Sequence, residues 1–255
     1  MGKLTDQQLE RYRRNILLDG VGPEGQERLL RTRVLVVGSG GLGSPAAYYL
    51  AAAGIGHIGL VDGDQVDLSN LQRQILHFTT DLGRPKIESA REKLTALNPD
   101  VKVTGIFRRL GDDNFRDIIA GYDLVVDGTD NFEVRFLINR ACVEQGKPYI
   151  FGGVLAYSGQ VMTILPGRGP CLACIFRDVP PREAPSCSEL GVLGAVPGVI
   201  GALEASEAVK AALGIGEPLV GRLLTYDALT MRFYTVEISR DPGCPVCGNG
   251  AVAAE

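Results

Sequence analysis

The chain has 255 residues, of which 45% are hydrophobic and 22% charged, with a formal net charge of −4. This is ordinary globular composition, in a chain long enough to bury a core without staples. The acidic balance argues against a nucleic-acid binder, which carries a basic surplus, and no run reaches the roughly 20 apolar residues of a membrane span.

The opening segment MGKLTDQQLERYRRN is polar and helical in character and does not read as a signal peptide, so a cytoplasmic protein is expected. Thr5 before Asp6-Gln7-Gln8 marks a helix start; residues 6–18 and 24–31 read as two short helices broken at Gly20-Val21-Gly22-Pro23. RVLVVG (33–38) is a continuous apolar run of the kind found in buried parallel strands. A tight glycine turn and an Ala-rich helix fill 39–54, with Pro45 in the first turn where proline is tolerated, and HIGLVD (57–62) is a second strand. Together they make a βαβ unit.

The alternation continues with a helix over 84–97, a strand over 101–107, a helix over 112–120, a strand over 122–127, a helix over 131–145 and a strand over 149–153. Then the character changes. SGQVMTILPG (158–167) alternates as an antiparallel strand does, and 168–191 is rich in Pro, Cys and charge. Residues 192–213 read as an Ala-rich helix interrupted at Pro197 and Gly201, and 222–228 with 232–238 as a hairpin. The expected fold is α/β: one domain built on a Rossmann-like mixed sheet of about eight strands, parallel in its first half and antiparallel in its second, with flanking helices. A helical arm (1–31) precedes a nucleotide-binding half (32–165) and a second half (166–255).

Gly38-Ser39-Gly40-Gly41-Leu42-Gly43 fits G-x-G-x-x-G between a strand and a helix, the context that motif requires. Glycines let the backbone approach phosphate, and the helix N-terminus offers free N–H groups and positive dipole. Asp62 ends the next strand, where an acid holds ribose hydroxyls. Alone, this loop says nucleotide, with NAD as the default ligand. Three further segments speak for ATP: Asp67-Leu68-Ser69-Asn70-Leu71-Gln72-Arg73-Gln74, Gly83-Arg84-Pro85-Lys86, and Asp127-Gly128-Thr129-Asp130-Asn131. All are expected at the carboxyl ends of the strands, where open α/β sheets bind ligands. Their cations suit a triphosphate and their carboxylates suit Mg²⁺; hydride transfer to NAD needs neither.

GSGGLGSP, VDGDQVDLSNLQRQ, GRPK and DGTDN, in this order and spacing, resemble the ThiF/MoeB/HesA family, relatives of the ubiquitin-activating enzymes. The resemblance runs from RYRRNILL (11–18) to the final CPVC and is to MoeB-type members, without the rhodanese-like extension that some relatives carry. It implies an ATP-dependent adenylyltransferase that activates the C-terminal Gly-Gly carboxylate of a ubiquitin-like sulfur carrier, MoaD-like for molybdopterin or alternatively ThiS-like for thiamine or another sulfur carrier. It further implies nucleotide contacts from Gly38, Gly40, Gly41, Gly43, Asp62, Asp64, Ser69, Asn70, Arg73, Gln74, Lys86, Asp130 and Asn131. Arg73 and Lys86 would act on the triphosphate and Asp130 would bind Mg²⁺. A homodimer is implied, forming a heterotetramer with its carrier, in which Arg14 reaches the active site of the other subunit; from the sequence itself Arg14 reads as a helix-surface charge. An ionised carboxylate attacking phosphorus needs no general base, in keeping with a chain whose two histidines, His57 and His77, sit in no motif.

Of six cysteines, Cys171, Cys174, Cys244 and Cys247 form two C-x-x-C pairs. They match a tetrahedral Cys₄ zinc site that would tie the C-terminal tail to the body, with disulfides or free thiols as the alternatives; the resemblance implies the same four zinc ligands. It also implies that residues 166–255 bear both zinc and carrier. Cys142 is expected to be buried on an apolar helix. Cys187 lies in the irregular segment PPREAPSC, where some relatives use a cysteine for a covalent link to the carrier, and a reactive role there stays open.

Overall fold

The computed structural model describes residues 3–177 and 190–248. The N-terminal arm is three short helices, α1 (Asp6–Arg11), α2 (Arg13–Ile16) and α3 (Gly22–Arg31). Thr5 and Gln8 form a capping box at the start of α1, satisfying two orphan N–H groups. The helix expected over 6–18 divides at Tyr12, whose ring is buried. Its hydroxyl donates to Asp100 and accepts from Asn98.

Eight strands form one sheet in the order β3-β2-β1-β4-β5-β6-β7-β8. They are β1 (Arg33–Val37), β2 (His57–Val61), β3 (Lys102–Ile106), β4 (Leu124–Asp127), β5 (Tyr149–Leu155), β6 (Ser158–Ile164), β7 (Arg222–Asp227) and β8 (Arg232–Glu237). The first five are parallel; β5 through β8 pair antiparallel. The change at β5 follows from connection length. Helices α4 (Gly43–Ala53), α5 (Lys86–Leu97), α6 (Phe115–Ala120) and α7 (Phe132–Glu144) cross between the parallel strands, as parallel pairing demands. Between β5 and β6 there are only Ala156 and Tyr157, with Ala156 at φ 52°, so the chain must turn straight back.

Two apolar layers cover the sheet. α4 and α5 pack on one face with α9 (Ala195–Leu213), while α6, α7 and the short α8 (Leu172–Ile175) pack on the other. The helix expected to be interrupted at Pro197 and Gly201 is continuous over its 19 residues. Pro197 stands in the first turn, where the missing N–H has no partner to lose. At Gly201 a Cβ would overlap the Leu42 carbonyl and the Pro45 ring, so this glycine marks where α9 crosses α4 at close range. No helix among the described residues is long and apolar enough to cross a membrane.

Candidate active site

β1 and β4 are neighbours, but the chain leaves them in opposite directions along the sheet, which makes their carboxyl ends the topological switch point. The glycine loop sits there. Gly38, at φ 87°, is in the left-handed region that glycine tolerates, and its N–H continues the ladder to Val61 O at 2.7 Å. Gly128, past β4, donates to Val37 O at 2.7 Å. A Cβ on Gly43 or Gly128 would overlap the Gly38 carbonyl. Three glycines from two motifs therefore pack backbone to backbone.

Asp62 is nearly buried and accepts from the Ser39 N–H and hydroxyl, both at 2.9 Å, through one oxygen, and from Asp64 N–H at 2.9 Å through the other. The segment after β2 then folds over the loop. Asp67 caps a short 3₁₀ turn, taking the Ser69 N–H and hydroxyl, and Asn70 accepts from Asp67 N–H. Arg73 bonds Ser69 O at 3.0 Å, and its Cγ lies 3.4 Å from where a Gly41 Cβ would stand. Gln74 is buried behind Gly40, with no hydrogen-bond partner for its Oε1 among the described residues.

Lys86 opens α5 and is 6% exposed; a lysine this enclosed needs an anion. Its Nζ lies 3.4 Å from Asp64, which Arg109 also reaches at 3.0 Å. Burial works to raise the Asp64 carboxyl, but Lys86 and then Arg109 outweigh it and hold it below the usual carboxylate range. At the end of β4, Asp127 is fully buried, held by Thr129, Tyr149 and Arg135. Asn131 caps α7 through Val134 N–H. Between them Asp130 is exposed and makes no hydrogen bond or ion pair with any described residue.

Arg14 is not brought to this site within one chain. It stands between Tyr12 and Asn15, whose side chains are tied to Asn98 and to Ala53 O. Ala53 is the last residue of α4, whose first is Gly43, so Arg14 is anchored a helix length away, roughly 16 Å. Cys171, Cys174, Cys244 and Cys247 do converge, with all four Sγ atoms within 4.8 Å of one another. The 3.7 Å and 3.4 Å approaches of Cys171 to Cys244 and of Cys174 to Cys247 are far beyond a disulfide bond. They are close to the ~3.8 Å edge of a tetrahedron with Zn–S bonds near 2.3 Å, so the donor set fits zinc. Cys142 is buried, and burial raises its thiol pKa far above the usual range. Cys187 lies outside the described residues.

The ThiF family profile matches residues 12–246. The chain belongs to the ThiF family. It is 50% identical over 246 residues to the SAMP-activating enzyme E1 of Haloferax volcanii, covering 96% of this chain and 91% of that one. It is 49% identical over 251 residues to the sulfur carrier protein adenylyltransferase of Thermus thermophilus, covering 96% and 93%. Among solved structures, E. coli MccB with ATP superposes with a TM-score of 0.80 at 27% identity, over 93% of this chain and 74% of that one. Relatives of this identity, named as adenylyltransferases, make this ThiF-family chain an enzyme of that class.

Three features of the ThiF-family site have no signature in the sequence. The N-terminus of α9 arrives at the loop: a Gly194 Cβ would overlap Gln72 O, and Pro197 lies 3.3 Å from the Gly41 Cβ position. With α4 and α5, a third helix thus turns its positive end toward the site. Arg109 comes in from beyond β3 and Arg135 from α7. His77 is buried with both ring nitrogens engaged. None of these follows a spacing rule.

Proposed function

We propose that this chain uses ATP to adenylate the C-terminal glycine carboxylate of a ubiquitin-like sulfur carrier. The observation that carries the reading is the ring of cationic and N–H groups on one glycine loop: Arg73 over Gly41, Lys86 at a helix start, and three helix N-termini, all beside an unengaged Asp130 carboxylate. A dinucleotide hydride-transfer site has no use for that set. The sulfur-carrier adenylyltransferase relative supports the choice of acceptor.

The chemistry asks little of acid–base groups. The carrier's terminal carboxyl, with a pKa near ~3.5, is already ionised. One of its oxygens attacks the α-phosphorus, the bond to the β-phosphate oxygen breaks, and acyl-adenylate and pyrophosphate form. The demand is electrostatic, because two anions meet and charge builds on the departing pyrophosphate. Asp62 is assigned to the ribose, Asn70, Arg73 and Lys86 to the triphosphate, and the Gly38–Gly43 loop to phosphate oxygens. Asp64, Ser69, Gln74 and Asn131 frame the pocket. Asp130 is the residue that would hold Mg²⁺, an ion that commonly binds one or two carboxylates plus substrate phosphates and supplies charge neutralisation. The four cysteines would hold a structural zinc.

The anchoring of Arg14 at the far end of α4 supports its acting in a partner subunit's site, hence a homodimer. Carrier docking is assigned to the β6–β8 end of the sheet. There Leu155, Tyr157, Leu193, Met231, Phe233 and Tyr234 are exposed apolar side chains.

The test is exchange of radiolabelled pyrophosphate into ATP, run with a MoaD-like and with a ThiS-like carrier. Carrier-dependent exchange is expected, and the carrier that supports it names the pathway. Asp130→Ala is expected to abolish exchange. Binding of NAD in preference to ATP, with no exchange for any Gly-Gly carrier, would overturn the reading in favour of a dehydrogenase.

A further inference from the structure

His77 belongs to no motif, yet it is 3% exposed and fully partnered. Its Nε2 lies 3.0 Å from the carbonyl oxygen of Ser39, the second residue of the glycine loop. Its Nδ1 lies 2.9 Å from the Ser89 hydroxyl on α5. A carbonyl oxygen only accepts, so Nε2 carries the proton. Its Nδ1 faces the Ser89 oxygen, whose own proton goes to Asp81 Oδ2 at 3.0 Å, and burial lowers the His77 pKa. Lys93 Nζ donates to the Ser89 hydroxyl at 2.9 Å and to Asp81 at 2.5 Å. Lys93, Asp81, Ser89 and His77 therefore form one connected buried network that ends on the loop carbonyl.

Ser39 is gripped on every polar atom. Its N–H and hydroxyl go to Asp62, and its carbonyl takes His77 and the Ser44 hydroxyl at 3.2 Å. In a trans peptide the C=O and the following N–H point in opposite directions. With the Ser39 carbonyl turned inward onto a buried ring, the Gly40 N–H faces away from the core. Among the described residues that N–H has no partner.

We propose that His77 is a positioning residue for nucleotide binding. Its Nε2–H holds the Ser39 carbonyl inward so that the Gly40 N–H is presented to phosphate. Through Nδ1 it sets the loop against the helix that begins with Lys86, three residues before Ser89. The inference rests on the loop binding ATP, not on what the ATP is used for.

The experiment measures MgATP affinity by titration calorimetry and exchange kinetics for the wild type, His77→Leu, His77→Gln and Ser89→Ala. His77→Leu is expected to raise the Kd and the KM for ATP about tenfold, a loss of roughly 1.4 kcal/mol, while kcat at saturating ATP and the KM for carrier stay within about threefold. Glutamine keeps a terminal N–H donor and is expected to recover most of that affinity. Ser89→Ala leaves the Nε2 contact in place but removes the Nδ1 tie to α5, and is expected to weaken ATP about threefold. It decides the matter should His77→Leu fail to fold. The inference is overturned if affinity is unchanged in all three variants, if His77→Gln is as weak as His77→Leu, or if ATP and carrier parameters fall together. A wild type that binds ATP without exchanging pyrophosphate would sink the adenylation reading alone, and the affinity comparison would still judge His77.

Discussion

Arg135 and Asp127 form a buried ion pair, Nε to Oδ2 at 3.4 Å, directly beneath the loop that holds Asp130 out to solvent. Arg135 also donates to Thr129 O at 2.6 Å and Gly152 O at 3.0 Å. It thus ties the ends of β4 and β5 together. Removing one member of such a pair leaves the other charged and unmatched in the core. Arg135→Met is expected to cost about 3–5 kcal/mol in urea unfolding. A cost near zero would show that Thr129 and Tyr149 satisfy Asp127 by themselves.

The glycine contacts give a prediction at a position outside G-x-G-x-x-G. A Cβ on Gly128 would overlap Gly38 O and crowd the Cα of Gly43, backbone atoms that cannot swing aside. Gly128→Ala is expected to weaken ATP binding at least tenfold, as Gly43→Ala should, and to cost about 1–3 kcal/mol of stability from overpacking. Titration calorimetry and thermal melting check both, and wild-type affinity in Gly128→Ala would show that the two turns are free to separate.

Elemental analysis of the purified protein is expected to find one zinc per chain, and less than a tenth of that in Cys244→Ser. A Cys₄ site contributes folding energy outright. If its loss removes even 3–4 kcal/mol, the melting midpoint falls by roughly 10 °C in a chain of this size. Strong chelators should reproduce that fall in the wild type and leave Cys244→Ser unmoved.

Glu204 predicts a pH dependence. It is fully buried on α9 against Gly152, and among the described residues neither carboxylate oxygen has a hydrogen-bond partner. Burial, reinforced by Asp127, raises its pKa well above the ordinary 4.5. Unfolded, the group loses its proton near that ordinary value; folded, it keeps the proton to higher pH. Stability from this group is full below 4.5 and falls as pH rises through the folded value, by about 1.4 kcal/mol per pH unit. Glu204→Met keeps the volume and removes the titration. It is expected to be more stable than wild type at pH 8 and to lose the slope between pH 5 and 8, as chemical denaturation at each pH would show.

Much of this architecture is legible from local pattern. The apolar run at Val34–Val37 and the turn glycines place strands and loop because their chemistry is spent on neighbours in sequence. Pro197 and Gly201 mislead for the opposite reason. Both read as breaks, yet one lies in a first turn and the other at a helix crossing, and each position is set by where α9 docks. Likewise Ser39 and Ser89, the partners of His77, stand 38 and 12 positions away, so no window of sequence exposes its role. Arg14 shows a third limit: its motif is visible, but only the anchoring of Tyr12 and Asn15 shows that it stands at the end of α4 remote from its own loop.

The cysteine cluster has a consequence for covalent integrity. Cys171 and Cys244 stand 73 positions apart, so an ion shared between the two pairs closes that stretch of backbone, with α9, β7 and β8 inside it, into a ring. A ring cut once stays in one piece. Proteolysis at a single bond between the two pairs would leave fragments joined through metal and sheet, so that even in denaturant they separate only when the metal is stripped away.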